Sequence, residues 1–441
     1  MSYPSDPNAI NASPTKQFFI YMLTVDIELV DAILDLADNC FDGARRLRGN
    51  GSYDGFSIRI EISKDHFKIA DNCGGIPIDV ARNYAFRFGR DPNAPPTLHS
   101  MGRFGVGMKR ALFKMGRKFE IESRTKNSEL SIEVDVDTWE HAPEWEFQFK
   151  DRQEGVEIEP DRVGTIVTVT ALYPEIAEKF ALENFDTRLR MELESAHQEG
   201  VQKGLVFTLN SLPLTFRPAV LYQSEDMRPA YKEFELPGRN GTPVHVKLYA
   251  GLGKSAPKEA GWYLYCNGRM ILEANQDEVT GWGDGGGKGI PKFHNQFARF
   301  RGYAFFDSDD PTSLPWNTTK TGVNQDSPGY QAVRLEMVAM MRPVFDFLNK
   351  LDKEKEEEAG AQQLEKMVET AKPATLSAIQ KRDFFLAPEK KLAPISEQVR
   401  MQRIQYDKPA DEVDAVKRML RATSFKEVGE RTFEYFYDNE C

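Results

Sequence analysis

Only four of the 441 residues are cysteine, and Cys40, Cys73, Cys266 and Cys441 lie far apart. Their spacing excludes a CxxC zinc site, and their number excludes the disulfide scaffold of a small secreted protein, so reduced thiols are expected. Long apolar runs are missing as well: no stretch approaches the roughly 18 apolar residues that span a bilayer. The opening MSYPSDPNAINASPTK has neither the basic nor the apolar segment of a secretion signal, and a cytoplasmic chain without a membrane partner is expected. Nor is there a positive excess. A net charge of -11 opposes nonspecific attraction to nucleic acid or anionic lipid, although a local basic groove remains compatible with it. What is present, 40% hydrophobic residues over this length, suffices for two or three domains with buried cores.

In residues 26–48, Ile33, Ala37, Cys40, Phe41 and Ala44 recur at helical spacing, which predicts a helix with an apolar face. The alternation in FSIRIEI and FKIA predicts two strands about a Ser-Lys-Asp turn, the second running into Asp71-Asn72-Cys73-Gly74-Gly75. A Pro-rich loop over 91–97 precedes GRFGVGMKRALFKMG, a glycine turn feeding a helix, and GTIVTVTAL at 164–172 reads as a strand. Helices and strands mix without strict alternation, so an α+β layered fold is expected and not a doubly wound sheet.

From about residue 205, VHVKLYA, GWYLYCNGRMILE and RFRGYAFFD predict a second α+β domain. GWGDGGGKG at 281–289 loses too much entropy on ordering to join a core, and a mobile loop is expected there. A helix near 328–350 leads into DKEKEEEAGAQQ, a charged helix or linker. The tail carries a capping box at Ser424 to Glu427 and an aromatic cluster, Phe433, Tyr435, Phe436 and Tyr437, expected to pack as core. The expected organisation is a flexible N-terminus over 1–15, a first domain over 16–200, a second over 201–350, a charged helix or linker over 351–374, and a helical region over 375–441.

Asp31, Asp35, Asp38, Asn39 and Asp42 fall three and four apart and form one stripe opposite the apolar face. Like charges at that spacing cost a few tenths of a kcal/mol each, so a cation is expected against them, the alternative being a solvated acidic face. Magnesium carried by a polyphosphate suits the stripe, because Mg²⁺ takes oxygen ligands and only one or two from protein. Asn39 can offer its amide oxygen to the metal, while Asp35, one turn earlier, can orient and deprotonate a water aimed at a γ-phosphate. Asp71 ends a strand before Gly74 and Gly75, where a carboxylate could accept from an adenine amino group or serve as an ordinary turn residue. Gly102-Arg103-Phe104-Gly105-Val106-Gly107 presents free backbone N–H groups at a helix N-terminus, with Lys109 as an added charge. Its GxxGxG spacing is not the dinucleotide pattern, and GLGKSAP at 251–257 fails as a Walker motif because Leu248 stands where glycine is required.

In this order, the helix with Asp35, Asn39 and Asp42, the strand end from Asp71 to Gly75, the 102–107 loop and Gly164-Thr165-Ile166 resemble the N, G1, G2 and terminal boxes of the GHKL superfamily. That superfamily includes DNA gyrase B, the heat-shock ninety chaperones, histidine kinases, MutL and MORC proteins. The resemblance covers about residues 15–175 and implies a Bergerat-type α/β sandwich binding ATP with Mg²⁺. It implies that Asn39 holds the metal, that Asp71 reads adenine with a water held by Thr165, and that Gly102, Gly105 and Gly107 shape a lid over the phosphates. Asp42, Gly75, Ile76, Val106, Met108 and Lys109 complete the implied ATP-binding set. Asp35 stands where a glutamate is expected, which points toward slow hydrolysis or pure sensing. Cys73 replaces a motif glycine and fits only at a backbone angle open to other residues.

GWYLYCNGRMILEA, FARFRGYAFFD and LPWNTTKTGVN look like the transducer domain of MORC, MutL and type II topoisomerases, with prokaryotic MORC-like stand-alone ATPases the nearer likeness. Lys320 stands in the segment whose lysine reaches the γ-phosphate in those families. The resemblance implies a conformational ATPase that forms a homodimer on ATP binding and acts on DNA or a partner protein, antiviral defence included. A chaperone-like ATPase on protein clients and a nucleotide sensor with little turnover are the alternatives. A histidine kinase is not expected, since the first histidine, His66, follows the first-box helix.

Overall fold

Helix α1 (Lys16–Val25) starts at Thr15, whose hydroxyl accepts the Phe18 N–H at 3.2 Å. In this computed structural model the described residues are 10, 12–91, 97–102, 105–283, 290–354, 362–390, 402 and 404–440. The expected flexible N-terminus therefore lies mostly outside them, as do 92–96 of the Pro-rich loop, Arg103 and Phe104, 284–289 of the glycine run, and 355–361. The chain divides into two units, residues 1–389 and 390–441.

Helix α2 (Leu29–Arg48) corrects the amphipathic reading, because it is buried on nearly every side. Its acidic stripe is not a solvated face: Asp35, Asp38 and Asp42 are each no more than 6% exposed, while Asn39 is exposed. The cover comes from elements far along the chain, which no local pattern in α2 reveals.

Strands β1 (Ser57–Ile62) and β2 (Phe67–Asp71) form the expected antiparallel pair. Short α3 (Ile78–Val80) precedes α4 (Gly107–Met115), which packs on α2. Next come β3 (Gly116–Arg124), β4 (Ser128–Asp135), α5 (Val136–His141), β5 (Phe149–Glu154), β6 (Gly164–Leu172), α6 (Pro174–Phe180), α7 (Glu183–Ala196) and α8 (Gln198–Gln202). Strands β7 (Val206–Leu209) and β8 (Leu212–Pro213) complete an eight-stranded sheet in the order β5-β4-β3-β6-β2-β1-β7-β8. The expected break after residue 200 thus precedes two strands that hydrogen-bond into the first sheet, β7 running parallel to β1 from Ser57↔Val206. A parallel pairing across such a separation leaves no local signature.

After β9 (Val220–Gln223), the strands β10 (Ala230–Leu236), β11 (Val244–Leu252), β12 (Gly261–Cys266), β13 (Arg269–Asn275) and β14 (Phe300–Asp307) build a second sheet, ordered β10-β11-β14-β12-β13. GWYLYCNGRMILE is a hairpin whose two turn residues, Asn267 and Gly268, both have positive φ (47° and 77°), as a tight Asn-Gly turn requires. Helix α9 (Pro328–Glu354) covers one face of this sheet, where Trp262, Phe300 and Phe345 share a core.

The stretch expected as a linker contains α10 (Gln363–Thr370), capped by the Glu354 carboxylate, which accepts the Leu364 and Glu365 N–H groups at 3.0 Å each. It then enters β15 (Lys372–Thr375), antiparallel to β9, and Phe385 packs on Phe347. In the second unit, α11 (Ala410–Leu420) and α12 (Phe425–Glu440) form a helix pair, and the Glu427 N–H donates to the Ser424 hydroxyl as the capping box predicts. The aromatic cluster of α12 is not core: Phe433, Tyr435, Phe436 and Tyr437 are all exposed, because these two helices have too little facing area to bury them. No helix among the described residues is long and apolar enough to cross a membrane. The architecture is α+β, an antiparallel-rich first sheet with helices on it followed by further α+β and helical regions.

Candidate active site

Sheet register assembles the first part of the site. Asp71 ends β2 opposite Thr165 of β6, and Thr165 stands opposite Ser123 of β3, so three polar side chains line up across neighbouring strands. The Thr165 and Ser123 hydroxyls are 3.0 Å apart, and Ser123 accepts the Ile76 N–H at 2.7 Å, which fixes the turn after Asp71. One Asp71 oxygen accepts the Cys73 N–H at 2.7 Å. Burial pushes the Asp71 carboxyl pKa up, against the pull of the Cys73 N–H, the Cys40 thiol and Thr165. Gly164 is required because a Cβ there would lie 1.9 Å from the Asp71 carbonyl oxygen, and Gly75, at φ 70°, would meet Arg124 O at 2.2 Å. Cys73 is not among the residues with positive φ, so its backbone accepts a side chain at the place of the motif glycine.

Asp42 holds the start of the glycine loop. It accepts the Met101 N–H at 2.8 Å, the Gly102 N–H at 3.0 Å and the Ser100 hydroxyl at 2.6 Å. The turn at Asn267 reaches the same segment from the second sheet, its amide donating to Ser100 O and Ser308 O at 3.0 Å each. Lys109 does not project freely: it is 2% exposed and donates to Gly105 O at 2.5 Å, and burial pulls its pKa down to about 7. Ile76 and Met108 pack against the core of the first sheet. Val106, the residue before α4, makes no side-chain cap hydrogen bond among the described residues, and the first N–H groups of a helix are the kind of donors an anion takes. Gly107 lies against Asp35, where a Cβ would come within 3.1 Å of its Oδ2.

The centre is a buried ion cluster on α2. Asp35 accepts from Arg110 at 2.6 Å through Oδ2 and from Lys320 at 3.0 Å through Oδ1. Lys320 donates also to Asp38 at 2.6 Å, and Asp38 is hydrogen-bonded to His197 Nε2 at 2.8 Å, with the ion-paired Arg269 at 3.4 Å. Burial opposes charge on Asp38, but Lys320 and Arg269 outweigh it and hold its pKa far below the usual carboxylate range. Burial likewise opposes the Lys320 ammonium and is outweighed by Asp35 and Asp38, so its pKa is raised. His197, buried and stacked on Phe41 at 4.5 Å, has its pKa lowered chiefly by burial and is neutral.

Asn39 alone of the stripe presents an exposed neutral amide. Among the described residues no group of three or more His, Cys, Asp or Glu could hold a metal ion by itself. A single exposed amide oxygen is compatible with a magnesium ion that takes its other oxygen ligands from a phosphate chain and water.

Arg110, Ser123, His197, Arg269 and Asn267 were not singled out from the sequence. Arg110 carried a usable signal, one helical turn into the helix that the glycine loop begins. Ser123 follows from Thr165 only once the strand register is known, and His197 and Arg269 had no signal at all.

At the head of α2, Asp31 has its pKa raised to about 6 by burial, with Glu192, Asp35 and Glu28 adding to the rise and Arg269 opposing it. The folded value lies above the unfolded one of about 3.9, so this group's contribution to stability is full below about pH 4 and is lost as pH rises through 6. Asp31→Asn should therefore be the more stable protein at pH 7.5, with the advantage gone by about pH 4. Thermal melts across that range measure it, and parallel curves for the two proteins would assign the titration elsewhere.

Residues 27–165 match the family described as histidine kinase-, DNA gyrase B-, and HSP90-like ATPase. A search of curated proteins gives no match to the chain. The matched span holds Asp35, Asn39, Asp71, the glycine loop and Thr165, and it supports a GHKL-type ATP-binding domain; Lys320 lies outside it.

Proposed function

We propose that this chain is a magnesium-dependent ATPase whose second α+β domain detects the terminal phosphate through Lys320. The observation that carries the reading is the reach of Lys320 to Asp35 and Asp38 of α2, inside the span that matches the ATPase family. Its loop is held tightly: the Asn317 N–H donates to Gly322 O at 2.9 Å, Trp316 is buried, and Lys320 itself sits at φ 58°.

Arg110 and Lys320 each hold one Asp35 oxygen, so water has little access to this buried carboxylate while Lys320 is paired with it. A γ-phosphate beside the first N–H groups of α4 competes for the lysine. Transfer of Lys320 to the phosphate stabilises charge there and leaves Asp35 Oδ1 free to orient the attacking water and take its proton. Asp71 receives the adenine amino group, with Thr165 and Ser123 ordering the neighbouring polar edge. Magnesium bound at Asn39 would neutralise charge on the phosphate oxygens.

Lys320 leaving Asp38 alters the contact between the second sheet and α2, and in this reading that change drives homodimer closure as a clamp on DNA or a partner protein, in the manner of MORC-like ATPases. The engagement of Asp35 by Arg110 as well as Lys320 favours one competitor, a nucleotide sensor with little turnover. ATP turnover with and without DNA separates the readings: stimulation by DNA supports the clamp, and tight binding without turnover supports the sensor. Asn39→Ala should weaken Mg-ATP binding by at least about tenfold in calorimetry. Unchanged affinity in a folded variant would remove Asn39 from the site.

A further inference from the structure

A cavity of about 570 Å³ lies apart from Asp35, Asn39 and Asp71, between the second sheet and the ends of α2 and α8. Its floor follows from strand alternation. On β11, Val244, Val246 and Leu248 turn into the core beneath α9, so His245, Lys247 and Tyr249 face the other way. The register sets Phe305 of β14 beside Lys247 and Tyr265 of β12 beside Phe305, while Asp307 stands opposite His245. The Tyr265 and Phe305 rings stack at 4.7 Å, and Tyr249 meets Phe305 edge-on at 6.2 Å. The floor is thus an aromatic platform with a cation at one side and a carboxylate at the end.

The roof adds a second cation. Arg45 of α2 lines the cavity at 7% exposure, its Nη1 donating to the His99 carbonyl and to Asn267 O at 3.0 Å. Glu199, also in the roof, is paired with Lys203 at 2.6 Å and with Arg45 at 3.9 Å. Lys247 makes no ion pair among the described residues. The volume falls within the roughly 300–1,000 Å³ of small-ligand sites. Stacking surface, a lysine without an ion pair among the described residues and a carboxylate able to accept from hydroxyl or amino groups together match one ligand class.

We propose that this cavity is a second ligand site, for a free mononucleotide: its base on the face of the Phe305 or the Tyr249 ring, which stand at 87° to each other, its phosphate at Lys247, and its sugar or base donors toward Asp307. A base stacked on an aromatic side chain, together with an ion pair, gives measurable affinity. The net charge of -11 disfavours a long polyanion and leaves a single nucleotide as the better fit. The site is independent of the proposed ATPase chemistry, since none of these residues lies on Asp35, Asp71 or Lys320.

The test titrates AMP, GMP, CMP and UMP separately into the full chain by calorimetry, with inorganic phosphate and the free nucleosides as single-group controls. At least one monophosphate should bind with Kd below about 1 mM, more tightly than either control. Lys247→Glu should weaken it by about tenfold or more and Lys247→Gln by less, whereas Asp71→Asn should leave it unchanged. Lys247 is half-exposed, so circular dichroism of these variants should match the parent. The proposal is overturned if none of the four binds, if folded Lys247→Glu binds as the parent does, or if Asp71→Asn abolishes the binding, which would place it at the first site.

Discussion

Asp38→Ala should lower the stability of the folded chain by about 3–5 kcal/mol, the scale for removing one partner of a buried charge cluster. Asp38 is 1% exposed, is hydrogen-bonded to Lys320 and His197, and forms an ion pair with Arg269. Its loss leaves Lys320 and Arg110 on Asp35 alone and Arg269, only 4% exposed, without its ion pair with Asp38, where water cannot replace the lost carboxylate. Urea unfolding followed by tryptophan fluorescence measures the change. Asp38→Asn, which keeps the volume and an acceptor, should cost less than the alanine variant. A loss below about 1 kcal/mol for Asp38→Ala would show that the cluster is solvated and that Lys320 is not held as described. The depressed pKa of Asp38 adds a pH signature: its stabilisation is present above the unfolded value of about 3.9 and declines as pH falls below it, a dependence that Asp38→Asn should lack.

Asp35→Asn and Lys320→Ala should each slow single-turnover ATP hydrolysis by about a hundredfold or more, for different reasons. Asparagine at 35 keeps the size and an oxygen for Arg110 but cannot accept the proton of the attacking water. It is a better probe than alanine, which would leave Arg110 without its carboxylate partner in a buried site. ATP affinity should survive in Asp35→Asn. Lys320→Ala should instead bring the affinities for ATP and ADP together, because the group that distinguishes the terminal phosphate is gone. Rapid-quench hydrolysis beside calorimetry with both nucleotides separates the cases. Hydrolysis at the parent rate in Asp35→Asn excludes this carboxylate as the base. Asp38 would then be the next carboxylate to test, since the departure of Lys320 frees its Oδ2 as well.

The two experiments meet at one physical point. The same lysine stabilises the nucleotide-free fold and is proposed to leave for the phosphate, so the energy of its contacts with Asp35 and Asp38 opposes ATP-driven closure. Stronger pairing makes a firmer resting state and a more demanding sensor.

By itself the sequence determined the local elements and the chemistry they carry. Helical spacing located α2, alternation located β1, β2 and β6, and the glycine spacing located the start of α4, because each depends on neighbours a few residues apart. The order of Asp35, Asn39, Asp71, the glycine loop and Thr165 was enough to point to ATP. Tertiary structure alone decided what those residues touch. Whether the acidic stripe of α2 faced water or protein depended on Arg110, His197, Arg269 and Lys320, the last three more than 150 positions away, and no periodicity within a helix encodes a counter-ion brought by another domain. Strand register decided that Ser123 joins Asp71 and Thr165, and parallel pairing decided that β7 belongs to the first sheet. The face of β11 that carries Lys247 and Tyr249 was legible as alternation, but only the packing of α9 on one side and α2 on the other made that face the floor of a cavity.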